Sequence, residues 1–130
     1  HDFTRFARIE GKDPVRTVHS CRVFGDHGIL CCEVTAESFL WHMVRYIASA
    51  LQLVGEGSWD ADMVGDRLAG RETPPLSPAL PHGLILWEVD CGISFEPLPE
   101  TGRSGQFIQE REKYHTVMAR ICGVLLDEDR

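Results

Sequence analysis

The run Phe39-Leu40-Trp41-His42-Met43-Val44-Arg45 opens the stretch of sequence that decides the fold. Residues 39–54 contain no Pro and no Gly, the two residues that most readily break a helix. Phe39, Leu40, Met43, Val44, Ile47, Leu51 and Val54 recur at helical spacing and cover a wide face. The pattern predicts a helix over 39–54, capped by the Ser38 hydroxyl and ended by Gly55. Arg45 carries the only formal charge in that run, so the helix is expected to be mostly buried. Its polar stripe is Ser38, His42, Arg45, Ser49 and Gln52, all along one side. Spacing alone allows two readings: a narrow solvent-facing edge, or the floor of a cleft with Arg45 as its cation.

Working outward, residues 16–24 alternate loosely between β-branched or aromatic and polar positions, as a half-buried strand does. Gly25-Asp26-His27-Gly28 reads as a turn and residues 29–35 as the antiparallel partner, which makes a hairpin. Downstream, residues 60–69 predict a shorter helix with acids in its first turn and Gly70 at its end. Pro74, Pro75, Pro78 and Pro81 enforce a loop. Leu84, Ile85, Leu86, Trp87 and Val89 then suggest a buried strand over 83–89. A connection over 97–105 leads to a last helix from Gln106 to about Leu126, with Phe107, Tyr114, Met118, Ile121 and Leu125 at helical spacing. That helix is expected to pack against the sheet or a partner.

The predicted class is α+β: an antiparallel or mixed sheet flanked by helices, with a C-terminal helical extension. The expected division is a domain over 1–95 and the extension over 96–130, packed on the same domain.

Composition narrows the function classes. At 130 residues, 43% hydrophobic and 25% charged, the chain suits one globular domain. No apolar run approaches the roughly 18 residues a membrane-spanning helix needs. The chain begins at His1 without an initiator Met or signal segment, and is read as a piece of a longer polypeptide. Net charge is −7, but it is unevenly spread: residues 1–24 sum to +2 through Arg5, Arg8, Lys12, Arg16 and Arg22. Residues 25–95 sum to −7 and residues 96–130 to −2. An acidic surface disfavours promiscuous phosphate binding, while the basic N-terminal stretch leaves room for a local contact.

Cys21, Cys31, Cys32, Cys91 and Cys122 show no C-x-x-C spacing and are expected to be small buried thiols in a reducing cytosol. The scattered histidines suggest no metal site. Gly102-Arg103-Ser104-Gly105 lacks the lysine of a phosphate-binding loop, so nucleotide cofactors find no support.

Four stretches resemble TruA-type tRNA pseudouridine synthases in order and spacing. They are His1-Asp2-Phe3-Thr4-Arg5-Phe6, Pro14-Val15-Arg16-Thr17-Val18, Phe39 to Arg45 with Val54-Gly55 following, and Pro81-His82-Gly83-Leu84-Ile85-Leu86 with Val89-Asp90. The resemblance covers about residues 1–91 and implies half of a pseudouridine synthase fold. It further implies isomerisation of uridine to pseudouridine in the anticodon arm of tRNA, in the cytoplasm, by homodimers that use no cofactor or metal. In such enzymes an aspartate attacks a flipped nucleoside, and the arginine ending the H-M-V-R element pairs with it. Arg45 stands at that position, and Leu84 matches an apolar residue beside the target base. The local charge of +2 makes Arg5, Arg8, Lys12 and Arg16 candidate RNA contacts, and His42 of the polar stripe joins them.

The G-R-T-D-A-G-V-H element that holds the family's nucleophile has no match here, nor does its Y-R-Y element. Asp2, Asp26 and Asp90 lack the glycine-flanked setting, and Tyr46 and Tyr114 the aromatic one. The expected role of this chain is therefore to supply the supporting cation and one wall of the site, with a missing N-terminal catalytic domain supplying the nucleophile. The alternatives are a catalytically silent RNA-binding domain and a dimerisation domain.

Overall fold

A computed structural model describes residues 1–26, 28–96 and 102–127 of the chain. Two units are distinguished, His1–Trp87 and Glu88–Arg130. The first opens with a short 3-10 turn, Thr4–Phe6, followed by the antiparallel strands β1 (Val18–Asp26) and β2 (Ile29–Ala36). Helix α1 (Met43–Gly55), helix α2 (Ala61–Leu68) and a second 3-10 turn, Pro81–Gly83, complete it. In the second unit the long helix α3 spans Arg103–Asp127. The α+β class holds.

The hairpin forms where the alternation places it. Asp26 pairs with Ile29, Gly28 turns at φ +81°, and a register shift between Val18 and Ser20 marks a bulge. A positive φ suits glycine, which has no Cβ to clash. Both faces of the ribbon remain largely open, with Val23, Phe24, Ile29 and Leu30 exposed. His27 of the expected turn and much of the expected 97–105 connection lie outside the described residues.

The core forms where α1 meets the N-terminal segment. Phe3, Phe6, Leu40, Met43, Ala50 and Trp59 are buried, and Tyr46, Ile47, Leu53, Met63, Val64 and Leu76 pack around them. Phe3 and Phe6 meet edge to face at 6.3 Å between centroids. At the far end of α1 the amides of Ser58 and Trp59 both donate to the Leu53 carbonyl, which folds the chain back to bury Trp59.

Three local expectations are corrected. Helix α1 begins at Met43, not Phe39, and Ser38 makes no cap; His42 occupies the cap position with φ 64° and no side-chain cap bond. Leu40 and Met43 must both enter the core, and the tight turn between them delays the helix. The left-handed glycine after α1 is Gly57, φ +73°, while Gly55 is the last helical residue. No strand forms over 83–89: among the described residues the only sheet is β1–β2, and Leu84 to Val89 are exposed. An apolar, β-prone run makes a strand only when a neighbouring strand accepts its hydrogen bonds, and none pairs with it here.

The cysteines also depart from expectation. Cys21, Cys91 and Cys122 are exposed, and Cys31 and Cys32, on the open hairpin, are half-buried. No described helix is long and apolar enough to cross a membrane. No cluster of three His, Cys, Asp or Glu suited to a metal occurs among the described residues.

Candidate functional site

The turn that leads into α1 builds the site. With Leu40 and Met43 turned into the core, Trp41 between them faces outward and is 48% exposed. His42 is the sole non-glycine residue at positive φ among those described. Holding such a residue left-handed costs on the order of 1–3 kcal/mol, and the surrounding packing must sustain it. The His42 carbonyl accepts from the Tyr46 amide at 3.0 Å, so the strained residue launches the helix. Its ring meets Trp41 edge-on, 5.0 Å between centroids.

Arg8 joins this turn from the N-terminal segment. Its amide donates to the Trp41 carbonyl at 3.0 Å, and its guanidinium lies 4.7 Å from the Trp41 ring centroid. Cation–π attraction of this kind is worth about 0.5–1 kcal/mol at an exposed site. Arg8, Trp41 and His42 thus form one group, with Arg45 the next stripe position along the helix.

Arg45 is half-buried. Its Nε donates to the Ala79 carbonyl at 2.6 Å, while its own carbonyl accepts from the Ala79 amide at 3.1 Å. These bonds fasten the proline-rich loop to α1 and fix the plane of the guanidinium. Among the described residues no carboxylate forms an ion pair with it; the pairs are Arg22–Glu33 and Arg71–Asp66. A planar, positioned cation without a carboxylate is chemically suited to receive one in two parallel hydrogen bonds.

The other candidates are placed differently. Arg16 curls onto local backbone, with Nη1 donating to the carbonyls of Asp13 at 2.8 Å and Val15 at 2.6 Å. Arg5 lines a cleft of about 320 Å³ with Asp2, Thr4 and Arg67. Lys12 is exposed on the loop before Val15. Leu84 is 51% exposed, and its amide donates to the Pro81 carbonyl at 3.0 Å. Among the described residues no hydrogen bond or ring contact links the Arg16 side chain to the Arg8–Trp41–His42 group.

Trp41 and Arg67 escaped the sequence reading. Trp41 left a signal, since it falls between two core positions and is thereby directed out. Arg67 left none, because two of its partners, Arg5 and Phe6, are distant in the chain. Its Nε donates to the Arg5 carbonyl at 2.9 Å, Nη1 donates to Thr73 Oγ1 at 2.7 Å, and its charge sits 5.6 Å from the Phe6 centroid. Partial burial and then the like charge of Arg5 lower its pKa, with Tyr46 opposing. On the hairpin, the hydrogen bonds from Arg22 hold the Glu33 carboxyl below its usual range. Burial, then neighbouring Cys21, push the Cys32 thiol up to about 11.

Residues 1–90 match the family model described as tRNA pseudouridine synthase. The chain is 46% identical over 127 residues to a tRNA pseudouridine synthase A of Methanosphaerula palustris, covering 96% of this chain and 45% of that protein. It is 42% identical over 130 residues to the protein of that name from Methanoculleus marisnigri, covering 100% of this chain and 48% of that protein. With the Thermococcus kodakarensis protein of the same name it shares 44% identity over 98 residues, 74% of this chain and 37% of that one. The chain belongs to the tRNA pseudouridine synthase family. It spans about half the length of the first two of these curated relatives.

Proposed function

We propose that this chain is the arginine-bearing part of an isomerase that converts uridine to pseudouridine in the anticodon arm of tRNA. The observation that carries the reading is Arg45, fixed through Nε to Ala79 and without a carboxylate among the described residues. The remaining part of the parent polypeptide would bring an aspartate to the guanidinium. That aspartate attacks C1′ of the flipped nucleoside as the glycosidic C–N bond breaks; C5 of the turned base then displaces the carboxylate from C1′, and C5 loses its proton while the freed N1 takes one up. Arg45 would keep the carboxylate aimed and ionised in a site drained of water. Extruding the target base costs about a few kcal/mol, so contacts elsewhere must hold the RNA. Arg5, Arg8, Lys12, Arg16 and His42 are the RNA contacts of this reading, and Leu84 offers the flat apolar contact for the turning ring. The exposed apolar faces of the hairpin and of 84–89 are consistent with a larger assembly. The parent is read as a cytoplasmic homodimer that needs no cofactor.

The test is pseudouridine formation in tRNA by the full-length protein and its Arg45→Ala variant. A loss of about 3–5 kcal/mol in transition-state stabilisation is expected when a buried carboxylate loses its cation. Unchanged turnover would remove Arg45 from the mechanism.

A second reading, a dimerisation domain, is favoured by the exposed Phe107, Tyr114, Met118 and Ile121 of α3. Sedimentation of the full-length protein as a monomer at high concentration would exclude it.

A further inference from the structure

Trp41 is an unusual residue to leave half exposed, because the residues on either side of the turn, Leu40 and Met43, are buried. It is also not loose. The Arg8 amide donates to its carbonyl, Arg8 and Trp41 form an antiparallel bridge, and the guanidinium rests 4.7 Å from the ring centroid. His42 abuts the same indole edge-on and is held at φ 64°. Backbone and side chain therefore hold a guanidinium over an exposed indole ring, four residues before Arg45 in the chain.

A guanidinium held over an indole keeps its charge and its planar shape. Such a surface suits the two recurring features of single-stranded RNA, a π-face and a nearby phosphate. A duplex covers its base faces by stacking them on one another, so an unpaired nucleotide is the occupant the chemistry favours.

We propose that Arg8 and Trp41 form a preorganised stacking platform for an unpaired nucleobase of the RNA loop, separate from the target base and beside the Arg45 site. The proposal rests on the reading of this chain as part of a tRNA-modifying enzyme and adds to it a second base-holding site. The platform grips a neighbouring nucleotide while the target is extruded. Trp41 supplies the rigid backing and Arg8 the face and the charge.

The experiment uses the full-length enzyme and an anticodon-arm stem-loop RNA carrying 2-aminopurine at each loop position in turn. Affinity and fluorescence are measured across a salt series for wild type, Arg8→Lys, Trp41→Leu and Trp41→Phe. Quenching of 2-aminopurine at one loop position is expected with wild type. Arg8→Lys and Trp41→Leu should each weaken binding about tenfold and relieve that quenching, as loss of one stacked base predicts. The slope of log affinity against log salt should not change, because the number of charges is unchanged. Trp41→Phe should restore most of the affinity. Wild-type affinity and quenching in both Arg8→Lys and Trp41→Leu would overturn the platform, and Arg45-dependent pseudouridine formation would then leave the enzymatic reading standing. Platform-dependent quenching without any pseudouridine formation would do the reverse. Should Trp41→Leu fold poorly, Arg8→Lys decides alone, since its side chain lies on the surface.

Discussion

Arg45 and Ala79, 34 residues apart, are joined twice: the Ala79 amide donates to the Arg45 carbonyl and Arg45 Nε donates to the Ala79 carbonyl. One residue thus anchors the proline-rich loop through its backbone and is itself oriented by that loop through its side chain. Loop position and guanidinium aim are consequently coupled.

That coupling separates stability from activity. Arg45→Met keeps an unbranched stem of about the length that reaches Nε and removes the Nε bond, which should cost about 0.5–1.5 kcal/mol of stability. Urea unfolding of the full-length protein would measure it. Pseudouridine formation should fall by far more than that stability loss explains. An activity loss no larger than the unfolding shift would reduce Arg45 to a loop anchor.

The left-handed backbone at His42 predicts a gain. His42→Gly removes the Cβ clash at φ 64° and should raise stability by about 1 kcal/mol, offset in part by glycine's entropy in the unfolded chain. Thermal melting checks it. A net loss would mean that the His42–Trp41 ring contact outweighs the strain.

Met43 is fully buried at the centre of the core. Met43→Ala should destabilise by about 2–5 kcal/mol, the range for truncating a buried Met. A denaturation midpoint within error of wild type would show that the first turn of α1 collapses to fill the space.

Gly57, φ +73°, turns the chain so that Trp59 can return to the core. Gly57→Ala should cost about 1 kcal/mol or more, because the left-handed region is closed to most residues with a Cβ. Equal stability of variant and wild type would contradict this.

Cys32 has a pH signature. Its thiol pKa rises from 9.0 to about 11 in the folded chain, chiefly through burial. The folded state therefore binds the proton more tightly than the unfolded one. The resulting stability is full below about pH 9 and is lost as pH climbs through about 11. Alkylation of native protein, followed by mass spectrometry, should show Cys32 unreactive near neutral pH and accelerating only towards pH 11. Rapid modification at pH 8 would refute the assignment.

Much of this fold could be read from residue patterns. The hairpin followed from alternation and the Gly28 turn, α2 from its acids and Gly70, and α3 from helical spacing. Each depends on local periodicity, which neighbouring residues in the chain encode directly. The start of α1 was not legible, because it depends on whether Leu40 finds a core to enter. The expected strand at 83–89 failed for the complementary reason: its letters suit a strand, but ladder partners are a property of the assembled sheet.

For the candidate site, Arg45 as the lone charge on an apolar helix, and the family the chain resembles, could be read from the residues in order. Charge count and spacing are fixed by the order of residues alone. That Arg8 lies over Trp41 and that Ala79 orients Arg45 emerged only once the chain was folded. These depend on segments remote in the chain meeting through packing, and no local pattern records which remote backbone group a guanidinium will find.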